Sequence, residues 1–251
     1  MTAGGAGSRV RLGLATALAL AFPAPDAPGQ TDTRVALELV LAIDVSASVD
    51  RDEFALQIDG IAAAFRHPDI IAAIEKARPG GIAVAVVEWS EPEGTLVAVP
   101  FQQVADERTA RAFAFLTSRA WRITNSSYTS IGAGISAALD LMEANTFSGT
   151  RRVIDVSGDG RNNRAPWPDQ VRERVLAAGV TVNGLAIESD DDTLAGYYRE
   201  KVIMGAGAFV ERARDYTDYA ELIRRKLMRE ILPPVAGSPA RRDVALAGDG
   251  P

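Results

Sequence analysis

Apolar residues form two kinds of run along this chain. Short, almost continuous stretches of Val, Ile, Leu and Ala recur at 37–43, 82–88, 153–157, 180–187 and 208–211, with a weaker one at 95–99. Their length and lack of polar alternation predict strands buried on both faces. Between them, apolar positions return at helical spacing over 52–65, 69–77, 107–119, 131–143, 168–178, 193–202 and 216–230. This alternation predicts one α/β domain over residues 35–232, with a mostly parallel sheet and no internal repeat. Asp50 with Glu53 three positions later has the form of a capping box, and Gly179 is placed to stop a helix.

Composition then narrows the chemistry. The chain has 251 residues, 47% of them hydrophobic and 24% charged, enough for a sizeable core. With no cysteine, thiol catalysis, Cys-ligated zinc, iron–sulfur clusters and disulfides are excluded. His67 is the one histidine and stands before Pro68, which suits a surface or capping residue better than a general base. Lys plus Arg is 27 against 33 Asp plus Glu, a net charge of -6, so no nucleic acid partner is expected.

The ends of the chain read differently from its middle. Arg9 and Arg11 precede an apolar run over 12–22, then Pro23-Ala24-Pro25, with Ala19-Leu20-Ala21 offering small residues for cleavage. Residues 1–28 are therefore expected to be a signal peptide and short linker, which sends the protein to the periplasm or outside the cell. The apolar run is about half of the ~20 residues that span a bilayer, and no membrane span is expected in the mature form. Residues 233–251, rich in Ala, Gly, Pro and Arg, are expected to be a flexible tail.

The most informative segment is Leu41-Ala42-Ile43-Asp44-Val45-Ser46-Ala47-Ser48, where a buried strand ends and a carboxylate and two hydroxyls follow at alternate positions. They would emerge at the carboxyl edge of the sheet, where open α/β sheets bind ligands. Hard oxygen donors suit Mg²⁺ or Mn²⁺. The competing reading is that Ser46, Ser48 and Asp50 only cap the next helix. Tyr128-Thr129-Ser130 opens a later helix, and Ser157-Gly158-Asp159-Gly160 follows another buried strand, which adds a hydroxyl and a second carboxylate.

With these three segments the sequence resembles the von Willebrand factor type A family, whose metal-ion-dependent adhesion site is built from Asp-x-Ser-x-Ser, a Thr and an Asp-Gly. Val86-Val87-Glu88-Trp89-Ser90, the run from Arg152 to Gly160, Tyr197-Tyr198 and Gly207-Ala208-Phe209-Val210 are similar to its bacterial DUF1194 group. The resemblance implies a doubly wound, mostly parallel six-stranded sheet with one antiparallel edge strand and helices on both faces. It also implies a divalent cation, Mg²⁺ or Mn²⁺, held by Asp44, Ser46, Ser48, Thr129 and Asp159, with a position open to a carboxylate of a protein partner. Two carboxylates and three hydroxyls would leave the ion electrophilic toward an acidic ligand. One departure from the family is that Asn125-Ser126-Ser127-Tyr128 stands where a Gly-rich phrase usually precedes the Thr.

Other signals are set aside. Gly132-Ala133-Gly134 has the spacing of a dinucleotide fingerprint but follows a polar segment, so its glycines are read as close helix packing. Asp190-Asp191-Asp192 is read as a solvated helix start, and Trp89, Trp121 and Trp167 as partly buried core residues. The expected function is that of an exported binding module with no catalytic residues. The alternatives are a metal-assisted, phosphatase-like hydrolase and an assembly protein in which Ser46 and Ser48 only cap the helix.

Overall fold

The computed structural model describes residues 32–122 and 126–232. The expected signal peptide (residues 1–28) and tail (233–251) lie outside the described residues. Six strands form one sheet: β1 (Thr33–Asp44), β2 (Ile82–Trp89), β3 (Leu96–Val104), β4 (Phe147–Gly158), β5 (Thr181–Ile187) and β6 (Val210–Ala213). Their order is β3-β2-β1-β4-β5-β6, with β3 antiparallel to β2 and every other pairing parallel. The helices are α1 (Arg51–Arg66), α2 (Pro68–Lys76), α3 (Glu107–Thr117), α4 (Ile131–Ala144), α5 (Pro168–Ala177), the short α6 (Leu194–Tyr197) and α7 (Tyr219–Ile231).

The period of two in a strand divides the core. Leu37, Leu39, Leu41 and Ile43 of β1 face α1, α2, α3 and α7, while Val40 and Ala42 face α4, α5 and α6. Helices thus cover both faces, as a buried parallel sheet requires. The chain moves from β1 outward to β2 and β3, then returns to the other side of β1 for β4. The carboxyl ends of β1 and β4 flank that reversal, which is the ligand crevice of such sheets.

Several ends form as the local sequence dictates. Asp50 caps α1 in a capping box with Glu53, His67 caps α2 by accepting from the Asp69 N–H, and Gly179 follows α5 at a φ of 67°. The glycines of α4 are packing residues: a Cβ on Gly132 would lie 2.3 Å from the Pro166 carbonyl oxygen, and one on Gly134 2.6 Å from Trp89 Cγ.

Boundaries differ where polar residues pair. β1 and β4 begin several residues earlier than their apolar runs, because Thr33, Arg34 and Val35 pair with Phe147, Ser148 and Gly149. β3 runs past the expected 95–99 to Val104 along β2. The helix expected over 193–202 is α6 followed by one π turn, Tyr198–Val202. The segment 216–230 opens with a 3-10 turn, Tyr216–Asp218, before α7.

Candidate functional site

β1 delivers Asp44 to the carboxyl edge, one position beyond the pairing of Ile43 with Ser157 of β4. Asp44 is fully buried. Its Oδ1 accepts the Ser46 N–H at 2.8 Å, which turns the chain, while its Oδ2 is buried with no hydrogen-bond partner. The Ser46 and Ser48 hydroxyls lie 3.1 Å apart, and Ser48 Oγ donates to Asp159 Oδ1 at 2.8 Å. Asp50 alone caps α1. The capping reading of Ser46 and Ser48 is thereby corrected: the Ser48 hydroxyl bonds Asp159, the Ser46 hydroxyl lies against that of Ser48, and the cap of α1 is left to Asp50.

Thr129 joins this cluster from the entry to α4. Its N–H donates to Asn163 Oδ1 at 2.8 Å, and the Asn163 N–H donates back to the Thr129 carbonyl at 2.8 Å. The pair sets Thr129 against Gly160, where a Cβ would lie 3.7 Å from Thr129 Oγ1. Buried Asn162 accepts the Gly132 N–H at 3.2 Å and donates to the Arg164 carbonyl at 2.6 Å, fixing the loop after β4 to the start of α4. Arg122 donates to the Val45 and Ser46 carbonyls at 2.9 and 2.7 Å, and the Ala47 N–H donates to the Ser126 carbonyl. Asp44, Ser46, Ser48 and Asp159 are thus joined through short polar contacts, and Thr129 lies beside Gly160, the chain neighbour of Asp159.

The cluster concentrates buried charge. Burial, and then the charge of Asp159, push the Asp44 carboxyl up to about 8, against the pull of Ser46 and Arg122. Burial also raises Asp159, while Ser48 and the Tyr216 phenol beside it lower it. That phenol stops short of hydrogen-bond geometry. A Cβ on Gly158 would lie 2.8 Å from Asp44 Oδ2 and 2.9 Å from Tyr198 Oη, so only glycine leaves room beneath the carboxylate.

Among the described residues no three carboxylates or imidazoles gather as a metal-binding group. The donors here are two carboxylates and three hydroxyls, a set of hard oxygens that fits a small divalent cation. The orphaned Asp44 oxygen fits such an ion too, because a buried carboxylate oxygen without a partner is costly.

Sequence reasoning missed the supporting residues. Asn162, Asn163, Arg122 and Tyr216 belong to no motif, with only the short distance from Asp159 to the asparagines as a hint, and Gly158 and Tyr198 stand in the segments that carry the family resemblance but were assigned no part in the site. Arg161 pairs with Asp191 at 2.7 Å and bonds Thr193, so the acidic run is pinned to the loop after β4. Trp89 is buried as expected, but Trp121 is 75% and Trp167 43% exposed. Trp121 lies beyond the end of α3, and Trp167 stands at the start of α5 with its N–H held by Gln170 Oε1.

Solved structures of similar fold include proximal thread matrix protein 1 (PTMP1) from the mussel byssus, with TM-score 0.58 and 15% identity over 78% of this chain and 48% of that one. The chain therefore spans about half the length of the mussel protein. The open conformation of the pilus adhesin SpaC from Lactobacillus rhamnosus GG gives TM-score 0.53 and 14% identity over 78% of this chain and 30% of that one. The vWF domain of the type V pili tip protein Mfa5 from Porphyromonas gingivalis gives 0.51 and 11% over 80% and 97%. No curated protein sequence matches the chain. Residues 34–235 match the family described as Protein of unknown function (DUF1194). The chain belongs to the DUF1194 family, and its fold is that of a von Willebrand factor type A domain.

Proposed function

We propose that this chain is an exported binding module that holds a divalent cation, Mg²⁺ or Mn²⁺, at its carboxyl edge and uses it to take an acidic group of a protein partner. The observation that carries the reading is Asp44 Oδ2, buried and unpartnered beside Ser46, Ser48 and Asp159. Asp44, Ser46, Ser48, Thr129 and Asp159 would hold the ion, which when bound supplies a Lewis-acidic seat for a carboxylate from outside. The chain's own groups prepare that seat. The Ser46 N–H aims Asp44, Arg122 fixes the carbonyls of Val45 and Ser46, and the Asn163 pair holds Thr129 in place. Exposed Ser48 keeps one side open to a partner.

Three neighbours support the reading. One structure of the mussel protein has a zinc-occupied MIDAS motif, SpaC is a pilus adhesin, and Mfa5 is a pilus tip protein. Oxygen donors favour Mg²⁺ or Mn²⁺ here. The expected signal peptide over residues 1–28 supports export to the periplasm or beyond. No helix among the described residues is long and apolar enough to cross a membrane. The module is not an enzyme on this reading: its one imidazole, His67, caps α2.

The test is the melting temperature of the full chain against Mg²⁺ and Mn²⁺, for wild type and Asp44→Ala side by side. At a hundred times the dissociation constant, binding stabilises by about 2.7 kcal/mol, a shift of roughly 5–10 °C at this size. The shift is expected in wild type alone. Identical melting of both proteins with and without ions would overturn the metal site, and Mg²⁺-dependent hydrolysis of a phosphate ester lost in Asp44→Asn would favour the hydrolase instead.

A further inference from the structure

Tyr198 is a fully buried side chain beside Asp44 to which the proposed function gives no part. It opens the π turn after α6, a backbone form frequent at functional sites. It packs in the half of the core that holds Val40 and Ala42 of β1, Ile154 and Val156 of β4, and Val182 and Ala186 of β5. By the period of two along a strand, Asp44, Gly158 and Gly184 lie on that same face of the sheet.

Two glycines make room for the tyrosine ring. A Cβ on Gly184 would lie 2.7 Å from Tyr198 Cδ1, and one on Gly158 would lie 2.9 Å from Tyr198 Oη. The ring therefore starts over β5, and its hydroxyl ends over β4. The next strand is β1, where Asp44 stands level with Gly158, so the hydroxyl is on the Asp44 side of the ring. Asp44 Oδ2 is 2.8 Å from the same Gly158 Cβ position, which puts both oxygens within 2.9 Å of one point.

Both oxygens are buried, and neither has a hydrogen-bond partner. One belongs to a phenol, which keeps its proton at neutral pH, and the other to a carboxylate, which accepts. A buried donor and a buried acceptor left unpaired side by side are costly, and each is the other's nearest remedy. Packing alone does not account for the hydroxyl, because a phenylalanine would cover both glycines without burying an orphaned oxygen. Metal-binding carboxylates are themselves held by hydrogen bonds of this kind.

We propose that Tyr198 is the positioning residue for Asp44, its phenol O–H donating to Oδ2 and so fixing the carboxylate for the cation. The pairing stands on the geometry, while its role toward an ion rests on the function proposed above. A carboxylate has about four lone-pair sites. The Ser46 N–H takes one and Tyr198 a second, which leaves the others for the ion. A neutral phenol orients Asp44 without cancelling its charge, as a lysine or arginine in its place would.

The experiment has two arms, both on the full chain. In the first, wild type and Tyr198→Phe are titrated calorimetrically with Mg²⁺ and with Mn²⁺. The phenylalanine keeps the ring over both glycines, so a packing role predicts unchanged affinity, whereas loss of the hydroxyl should weaken binding roughly tenfold or more. In the second, urea unfolding without metal compares wild type, Tyr198→Phe, Asp44→Ala and the double variant. The double variant should lose less than the two single losses combined, by roughly fivefold in the folded-to-unfolded ratio, the factor of one hydrogen bond. Independent effects in the second arm, or wild-type affinity in Tyr198→Phe, overturns the proposal. A wild type that takes up neither ion while the second arm still shows coupling overturns the cation reading instead and upholds the pairing.

Discussion

Ser48 Oγ donates a 2.8 Å hydrogen bond to Asp159 Oδ1, joining side chains 111 positions apart. The bond closes the crevice between β1 and β4 and ties the loop entering α1 to the turn after β4. It also pulls the pKa of Asp159 down, against the stronger upward push of burial.

Removing this bond has a modest structural effect and a larger functional one. Ser48→Ala is expected to cost about 0.5–1.5 kcal/mol, because Ser48 is exposed and water can replace it on Asp159. That corresponds to a fall of roughly 1–6 °C in Tm at this size. The stabilisation by Mg²⁺ should shrink much further if Ser48 is a donor to the ion. Thermal melts with and without Mg²⁺ check both effects, and an undiminished Mg²⁺ response would remove Ser48 from the donor set.

Gly158→Ala tests the space beneath Asp44. The new Cβ would fall 2.8 Å from Asp44 Oδ2 and 2.9 Å from Tyr198 Oη, and both side chains are fully buried. Overpacking of this kind costs about 1–3 kcal/mol, or roughly 2–12 °C in Tm. A Tm equal to wild type would show that Asp44 and Tyr198 can retreat.

The strands and the polar residues that end them were legible because continuous apolar runs mark buried parallel strands, and Asp44 and Asp159 follow two such runs directly. Less legible were contacts that depend on chain reversal. Phe147–Arg152 has no continuous apolar run, yet this segment pairs with the start of β1. Lys226 carries no signal of burial in the sequence, but α7 lays it between Asp155 and Glu230 with no exposure. Asn162 and Asn163 carry no signal of their own, since their partners, Gly132 and Thr129, lie some 30 residues earlier.

Asn162→Ala measures how far that loop organises the site. It removes the acceptor of the Gly132 N–H, one of the free donors at the start of α4, and the donor to the Arg164 carbonyl. Because Asn162 is buried, the expected loss is about 1–3 kcal/mol. Asp44 and Ser46 are held by other bonds, so the folded variant should keep a cation response of reduced affinity. A variant matching wild type in urea unfolding and in Mg²⁺ titration would show that the loop stands without this residue.

The buried triad under α7 makes stability depend on pH. Lys226 Nζ lies 2.7 Å from Asp155 Oδ1 and 2.6 Å from Glu230 Oε1, and Arg151 is the other cation acting on Glu230. Burial first, and then the Glu230 charge, push the Asp155 carboxyl up to about 7 from an ordinary 3.8, despite Lys226. The folded chain therefore holds a proton that the unfolded chain releases between those values. This contribution is complete below about pH 3.8 and is lost as pH rises through about 7. Asp44, with its carboxyl pushed to about 8, acts in the same sense but is present in both proteins to be compared. Urea unfolding of wild type and Asp155→Asn at pH 4, 5.5, 7 and 8 isolates the triad. Wild-type stability should fall relative to Asp155→Asn across that interval and level off above pH 7. Parallel profiles would mean that Asp155 is ionised throughout, with Lys226 compensating both carboxylates.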